Sequence, residues 1–140
     1  MLDKKLVIFA EDDNEDWMLI DETLQLCSEN CVFERVHNGV ELLNRLRDTS
    51  LNLPDVIMMD LKMPKKDGVE TLTDIRQDDN LKHIPVIIMT TSKTESDIMR
   101  SYITGANSYV VKPVTFDAMR SVLLDIHHYW ANVVTTPSNA

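Results

Sequence analysis

The chain is short of positive charge: 14 lysines and arginines stand against 23 aspartates and glutamates, a formal net charge of -9. Nucleic-acid affinity rests on lysine and arginine neutralising phosphates, so this balance excludes nucleic acid as the expected partner. Long apolar runs are missing as well. None approaches the roughly 20 residues that span a bilayer, and the start "MLDKK" is not followed by the apolar region and cleavage site of a signal peptide. No membrane association and a cytoplasmic location are the expectations. Cysteine is scarce: Cys27 and Cys31 are the only two. With no second cysteine or histidine cluster near them, they are expected as free thiols, neither a zinc site nor a disulfide. The four histidines offer little. His127 and His128 are adjacent on a predicted helix and so point about 100° apart, which suits neither a shared metal nor a phosphorelay site. Repeats, low-complexity tracts and internal linkers are absent, and 140 residues amount to one domain.

What is present is alternation. Four runs are almost wholly apolar, "LVIFA" (6–10), "VIMM" (56–59), "VIIM" (86–89) and "YVV" (109–111), with a weaker "VFERV" (32–36). Such runs mark strands buried on both faces of a parallel sheet. Between them the chain takes helical spacing, as in Trp17, Ile20, Leu24 and in Val40, Leu43, Leu46. Helices are predicted near 14–27, 38–48, 68–78, 94–104 and 115–132. Five alternations of strand and helix imply right-handed βαβ crossovers and an open α/β sheet covered on both faces. Asp67 followed by Glu70 predicts a capping box for the third helix, and Pro85 falls at a strand start, where a missing donor is tolerated. The domain is expected over 1–132, with a C-terminal tail over 133–140.

In an open α/β sheet the ligand crevice lies outside the carboxyl ends of the strands. After the apolar runs come Glu11, Asp12 and Asp13; Asp60; Thr90, Thr91 and Ser92; and Lys112 before Pro113. A carboxylate such as Asp60, at the end of a buried strand, is costly to desolvate unless something cationic meets it. Carboxylates with no arginine beside them in the sequence call for a hard cation, and Mg2+ held by one or two carboxylates, waters and phosphate oxygens fits. Each residue alone has a structural explanation: an acidic turn capping the first helix, a strand-end hydroxyl, a surface lysine. Their coincidence at one edge of the sheet argues for a site.

The stretches "AEDDNED", "MMDLKMPKKDG", "MTTS" and "SYVVKP" resemble the receiver domain of two-component response regulators, the CheY-like family. The resemblance covers about residues 4–130, and the intervals between Asp12, Asp60, Thr90 and Lys112 match it. "TTSKTESDI", "GANSYVVKPV" and the late "YW" further resemble single-domain regulators that partner bacterial phytochrome histidine kinases. The resemblance implies a five-stranded, parallel, doubly wound sheet in the order 2-1-3-4-5 with five helices, the flavodoxin/CheY-like fold. It implies that Asp60 is the phosphoacceptor, attacking a kinase phosphohistidine. Mg2+ would be held by Asp12, Asp60 and the backbone carbonyl of Lys62, with Glu11 acting through a water. Lys112 and Thr90 would meet the phosphoryl oxygens, a cis bond is expected before Pro113, and Tyr109 matches the aromatic that turns inward when the threonine moves.

By the same resemblance the protein is a phosphoacceptor that assists its own phosphorylation and is not an enzyme in the ordinary sense. Autodephosphorylation is expected to be slow. Lys62 and Ser92 stand two residues after the phosphoacceptor and the threonine, and neither is a carboxylate or amide that would orient water well. Thr91 is bulkier than the alanine or glycine often found there. With no output domain following, output is expected as protein contact, or as transfer to a histidine phosphotransfer protein. Two alternatives stand beside this. A phosphorylation-independent scaffold is disfavoured by the complete set of Glu11, Asp12, Asp60, Thr90 and Lys112. A haloacid-dehalogenase type of aspartate-nucleophile phosphohydrolase is disfavoured by Lys62, which occupies the place of its general acid.

The last helix carries an apolar stripe, Phe116, Met119, Leu123, Ile126 and Trp130, expected to face inward. Val122, Tyr129 and Val133 form a second line, and Tyr102 and Ile103 extend it. A face this wide predicts a homodimer.

Overall fold

The computed structural model describes residues 4–27 and 29–137. Strands β1 (Lys5–Ala10), β2 (Cys31–Val36), β3 (Val56–Met59), β4 (Val86–Thr90) and β5 (Ser108–Val111) alternate with helices α1 (Asn14–Gln25), α2 (Gly39–Arg47), α3 (Gly68–Gln77), α4 (Glu95–Thr104) and α5 (Phe116–His128). All neighbouring strands pair in parallel, in the order β2-β1-β3-β4-β5. The parallel α/β sheet is the one expected from the apolar runs, its strand order is the one the resemblance implies, and the helices fall within a few residues of their predicted bounds.

Alternate side chains of the central strands feed two apolar layers. Ile8, Ile57 and Ile88 pack with Leu42, Leu72 and Ile75 on one face, and Val7, Phe9, Met58 and Met89 pack with Ile20, Leu24, Met119 and Leu123 on the other. Strands β1, β3 and β4 are thus covered on both sides. Strand β5 is not: Ser108, Tyr109 and Val110 are half-buried and Val111 is exposed. Apolar composition does not distinguish an edge strand from an interior one, and α4, which buries only Ser101, leaves this edge open.

The last predicted helix also changes character. Helix α5 ends at His128 and a π-helical turn, Tyr129–Val133, follows, with the Val134 N–H donating to the Tyr129 carbonyl at 3.0 Å. Within this wider turn Trp130 is buried, and its carbonyl accepts from Lys5 Nζ at 3.0 Å. Of the expected tail, Val134 packs on the second apolar layer; positions 138–140, like 1–3 of the "MLDKK" start, lie outside the described residues.

Local signals read from the sequence hold. The capping box of Asp67 and Glu70 opens α3, and Pro85 immediately precedes β4. Cys27 and Cys31 are free thiols. A β carbon on Gly68 would lie 2.6 Å from the Asp60 carbonyl oxygen, so only glycine lets α3 begin directly beside that residue. The expected cis bond before Pro113 is a correction: among the described residues no peptide bond is cis. The trans form keeps its intrinsic preference of about 0.5–1 kcal/mol at an X–Pro bond. Among the described residues no helix is long and apolar enough to cross a membrane.

Candidate functional site

Sheet register builds the site. Ala10 pairs with Met59 across β1 and β3, so the next residues, Glu11 and Asp60, emerge side by side, and the Asp60 N–H donates to the Ala10 carbonyl at 3.1 Å. Thr90 pairs with Val111 across β4 and β5, and the Lys112 N–H donates to the Thr90 carbonyl at 2.7 Å. Two strand spacings of about 4.8 Å separate β5 from β3, so only a long side chain can bridge them. Lys112 does so. Its Nζ donates to Asp60 Oδ2 at 2.7 Å, to Glu11 Oε1 at 2.7 Å and to Asp16 Oδ2 at 2.8 Å. The lysine side chain is 4% exposed and those of Glu11 and Asp60 are 4% and 12% exposed.

Burial opposes the charge on Lys112, but Asp60, Asp16 and Glu11 outweigh it and hold the ammonium's pKa above its ordinary value. For Glu11 burial wins: it lifts the carboxyl above the usual range even though the Lys112 bond pulls the other way. The remaining Asp60 oxygen, Oδ1, accepts from the Lys62 N–H at 3.2 Å, while the Lys62 side chain is exposed. Asp12 is exposed on the same loop. Asp13 caps α1, its Oδ1 accepting from the Asp16 N–H at 2.9 Å.

On the other flank Thr90 is fully buried at the end of β4, and its Oγ1 accepts a long, 3.4 Å bond from the Ser92 N–H. Ser92 is buried too; its hydroxyl donates to Asp97 Oδ2, and its carbonyl accepts from the Tyr109 hydroxyl at 2.8 Å. Tyr109 is therefore turned inward, and its own N–H donates to the Tyr102 hydroxyl at 3.1 Å. Thr91 between them is exposed.

Three residues at this site escaped the sequence reading. Asp16 lies in the first turn of α1, one turn beyond Asp12, and helical spacing is the signal that could have placed it on the rim. Asp97 sits in the first turn of α4 and holds Ser92. Arg35 corrects the expectation of no arginine beside the acids: from β2 its Nε donates to the Glu11 carbonyl at 3.0 Å and Nη2 to Asn14 Oδ1 at 2.9 Å. It serves backbone and amide oxygens and lies over the Trp17 ring, and among the described residues it makes no ion pair with these carboxylates.

Glu11, Asp12, Asp16 and Asp60 together set four carboxylates against one ammonium, and oxygen donors in excess of cations suit a hard divalent ion. Among the described residues no three histidine, cysteine or acidic side chains converge as a ready-made metal cluster; Lys112 stands between Glu11 and Asp60. Away from the site, Tyr102, Tyr129 and Val133 are exposed and Val122 is half-buried. Phe116 is a correction. Expected inward with Met119, Leu123 and Trp130, it is 71% exposed at the first residue of α5, where it lines an open groove with Met18 and Leu19 of α1 instead of packing closed on them.

Residues 7–124 match the response regulator receiver domain. The chain is 31% identical over 141 residues to the probable methanogenesis regulatory protein FilR2 of Methanothrix harundinacea, covering 99% of this chain and 91% of that one. It is 30% identical over 138 residues to response regulator Rcp1 of Synechocystis sp., covering 96% and 94%. In structure it is similar to the Mn(2+)-bound form of Rcp1, with a TM-score of 0.86, and to the phosphorylated cyanobacterial phytochrome response regulator RcpA, with a TM-score of 0.92. The RcpA match is 34% identical and covers 96% of this chain and 99% of the other. An acid at the end of β3, held by a lysine from β5 in a sheet of this order and matched over this span, places the chain in the receiver-domain family of two-component response regulators.

Proposed function

We propose that Asp60 accepts a phosphoryl group from the phosphohistidine of a histidine kinase. The observation that carries this is the buried Lys112 ammonium, 2.7 Å from Asp60 Oδ2, at a strand end lined with further acids. An Asp60 oxygen forms a bond to phosphorus as the P–N bond to the kinase histidine breaks. The released electron pair stays on the imidazole nitrogen, which takes up a proton. Such transfer depends on positioning and charge neutralisation. Lys112 supplies a compact positive charge to a phosphoryl oxygen, and the Thr90 hydroxyl donates to another. Thr90 and Tyr109 both bond to Ser92, so movement at the phosphoryl group is felt along β4, α4 and β5.

Asp12, Asp60 and the Lys62 carbonyl would hold Mg2+, with Glu11 acting through a water. The excess of carboxylates supports this, and Rcp1 has been solved in an Mn(2+)-bound form. When bound, the ion neutralises charge on the phosphoryl oxygens. The similarity to the cyanobacterial phytochrome response regulator RcpA favours a phytochrome as the kinase, and the expected location is the cytoplasm. Output is a change in protein contacts, through a homodimer on the last helix or through a histidine phosphotransfer protein. Lys62, Thr91 and Ser92 set a long phosphoryl lifetime, and Lys62→Asn shortens it by supplying an amide that can orient water.

Incubation with Mg2+ and acetyl phosphate tests the reading. The intact protein should gain one hydroxylamine-labile phosphoryl group, and Asp60→Asn should gain none while keeping its fold. Uptake by the variant would move the site; no uptake by the parent protein would reject the proposal.

A further inference from the structure

Three carboxylates share the Lys112 ammonium, and the phosphoacceptor reading gives work to only two of them. The third belongs to Asp16. An acid in the first turn of a helix has a plain structural use, because the helix N-terminus favours negative charge, and the Asp16 N–H is already tied to the capping side chain of Asp13. Glu15, its neighbour in the same turn, is exposed. The Asp16 carboxylate is directed elsewhere. Its Oδ2 accepts from Lys112 Nζ at 2.8 Å across 96 residues of sequence, with the acid 36% exposed and the lysine 4%.

A lysine ammonium has three donors and no acceptor, and Glu11, Asp16 and Asp60 take one each. The four-carbon stem of lysine does not by itself fix where those donors point. Two bonds from the β1–α1 side leave one direction for the third, and that direction is Asp60. We infer that Asp16 is a positioning residue: it anchors Lys112 so that the remaining N–H is aimed at Asp60, and at a phosphoryl oxygen once the group has transferred. This rests on the phosphoacceptor reading. Asp16 is partly exposed and takes a different N–H of Lys112 from the one given to Asp60, so the anchor can persist while the Lys112–Asp60 bond is exchanged for a bond to a phosphoryl oxygen. Asp16 should then govern the rate of transfer more than the affinity for the phosphodonor.

The test is the kinetics of phosphorylation by acetyl phosphate in saturating Mg2+, followed by intact mass, for Asp16→Ala, Asp16→Asn and Asp16→Glu. Asp16→Ala should lower the plateau rate about tenfold, the order expected for one charge-assisted hydrogen bond, with the half-saturating donor concentration unchanged. Asp16→Asn, which keeps a neutral acceptor, should fall between, and Asp16→Glu should recover most of the rate. In a Lys112→Ala background, Asp16→Ala should have no further effect, since nothing is left to position. A plateau rate within about twofold of the parent protein, or an equal loss in the Lys112→Ala background, would overturn the inference. A helix-terminal role alone would lower the unfolding midpoint in both backgrounds and spare the rate. An independent readout is the nitrogen NMR signal of the Lys112 ammonium, resolved and slowly exchanging in the parent protein and lost in Asp16→Ala. An unchanged signal overturns the anchor even if the parent protein takes up no phosphoryl group, an outcome that would reject the phosphoacceptor reading separately.

Discussion

Lys112 Nζ sits 2.7 Å from Asp60 Oδ2 with only 4% of the lysine side chain exposed, so the site is held together by a buried ion pair. Removing one partner of such a pair costs about 3–5 kcal/mol, because the other charge is left buried and uncompensated. Lys112→Ala leaves Glu11, Asp16 and Asp60 facing one another. Urea unfolding without metal should therefore show a loss of about 3 kcal/mol, and added Mg2+ should restore a substantial part by replacing the missing positive charge. A loss well under about 1 kcal/mol would mean that the ammonium's own desolvation cancels its attraction to the acids.

The reasons for reading this site from sequence are visible in its construction. Glu11, Asp60, Thr90 and Lys112 each end or follow an apolar run, so those four residues and the parallel α/β alternation were legible in the residues, while the strand order came from the family resemblance. Asp16 and Arg35 were not. One sits on a helix turn and the other near the end of an edge strand, and neither position is marked by a change in hydrophobic pattern. The exposure of β5 and the π-helical turn at Tyr129–Val133 escaped for a related reason: both depend on what packs against a segment, which its own residues do not state. The trans bond before Pro113 shows the limit of resemblance, which carried a family feature to a residue pair that does not adopt it here.

Asp12 supplies the exposed carboxylate of the proposed ion site. A ligand that binds only the folded state stabilises it by about 2.7 kcal/mol at 100 times its dissociation constant. The thermal unfolding midpoint should rise as Mg2+ is added, and Asp12→Ala should lose most of that rise. Without Mg2+ the variant should be no less stable than the parent protein, since it has one fewer negative charge near Glu11 and Asp60. An undiminished Mg2+ response in Asp12→Ala would place the ion elsewhere.

His127 gives the fold a dependence on pH. Its ring lies edge-on to Trp130 at 5.1 Å and 6.1 Å from Phe33, and its buried Nδ1 has no hydrogen-bond partner among the described residues. Burial, with His128 beside it, holds its pKa below the ordinary 6.5. The unfolded chain therefore binds this proton at a higher pH than the folded protein does. Stability from His127 is fully present above the unfolded value and is lost as pH falls through it toward the folded one. Urea midpoints at about pH 7.5 and about pH 5.5 should differ more for the parent protein than for His127→Phe, which has no proton to gain. Equal differences would show that the exposed carboxylates, common to both proteins, carry the whole effect.

The uncovered edge beside β5 is where self-association is expected. Helix α4 buries only Ser101 and exposes Met99, Tyr102 and Ile103; Val111, Tyr129 and Val133 are exposed on the neighbouring β5 and the turn after α5. Apolar surface of this kind usually marks a contact, and a two-fold contact between copies is the commonest way to cover it. The net charge of -9 works against association, so the contact has to be carried by these apolar groups. Light scattering at micromolar concentration should give about twice the 16.1 kDa chain mass, and Tyr129→Asp with Val133→Asp should return it to one chain. Tyr102 adds a link to the phosphoryl site: its hydroxyl accepts from the Tyr109 N–H, and Tyr109 in turn bonds the Ser92 carbonyl. A dimer covering Tyr102 should therefore tighten or loosen when Asp60 is phosphorylated. A parent protein that scatters as a single chain, with or without acetyl phosphate, would sink both the dimer and its coupling.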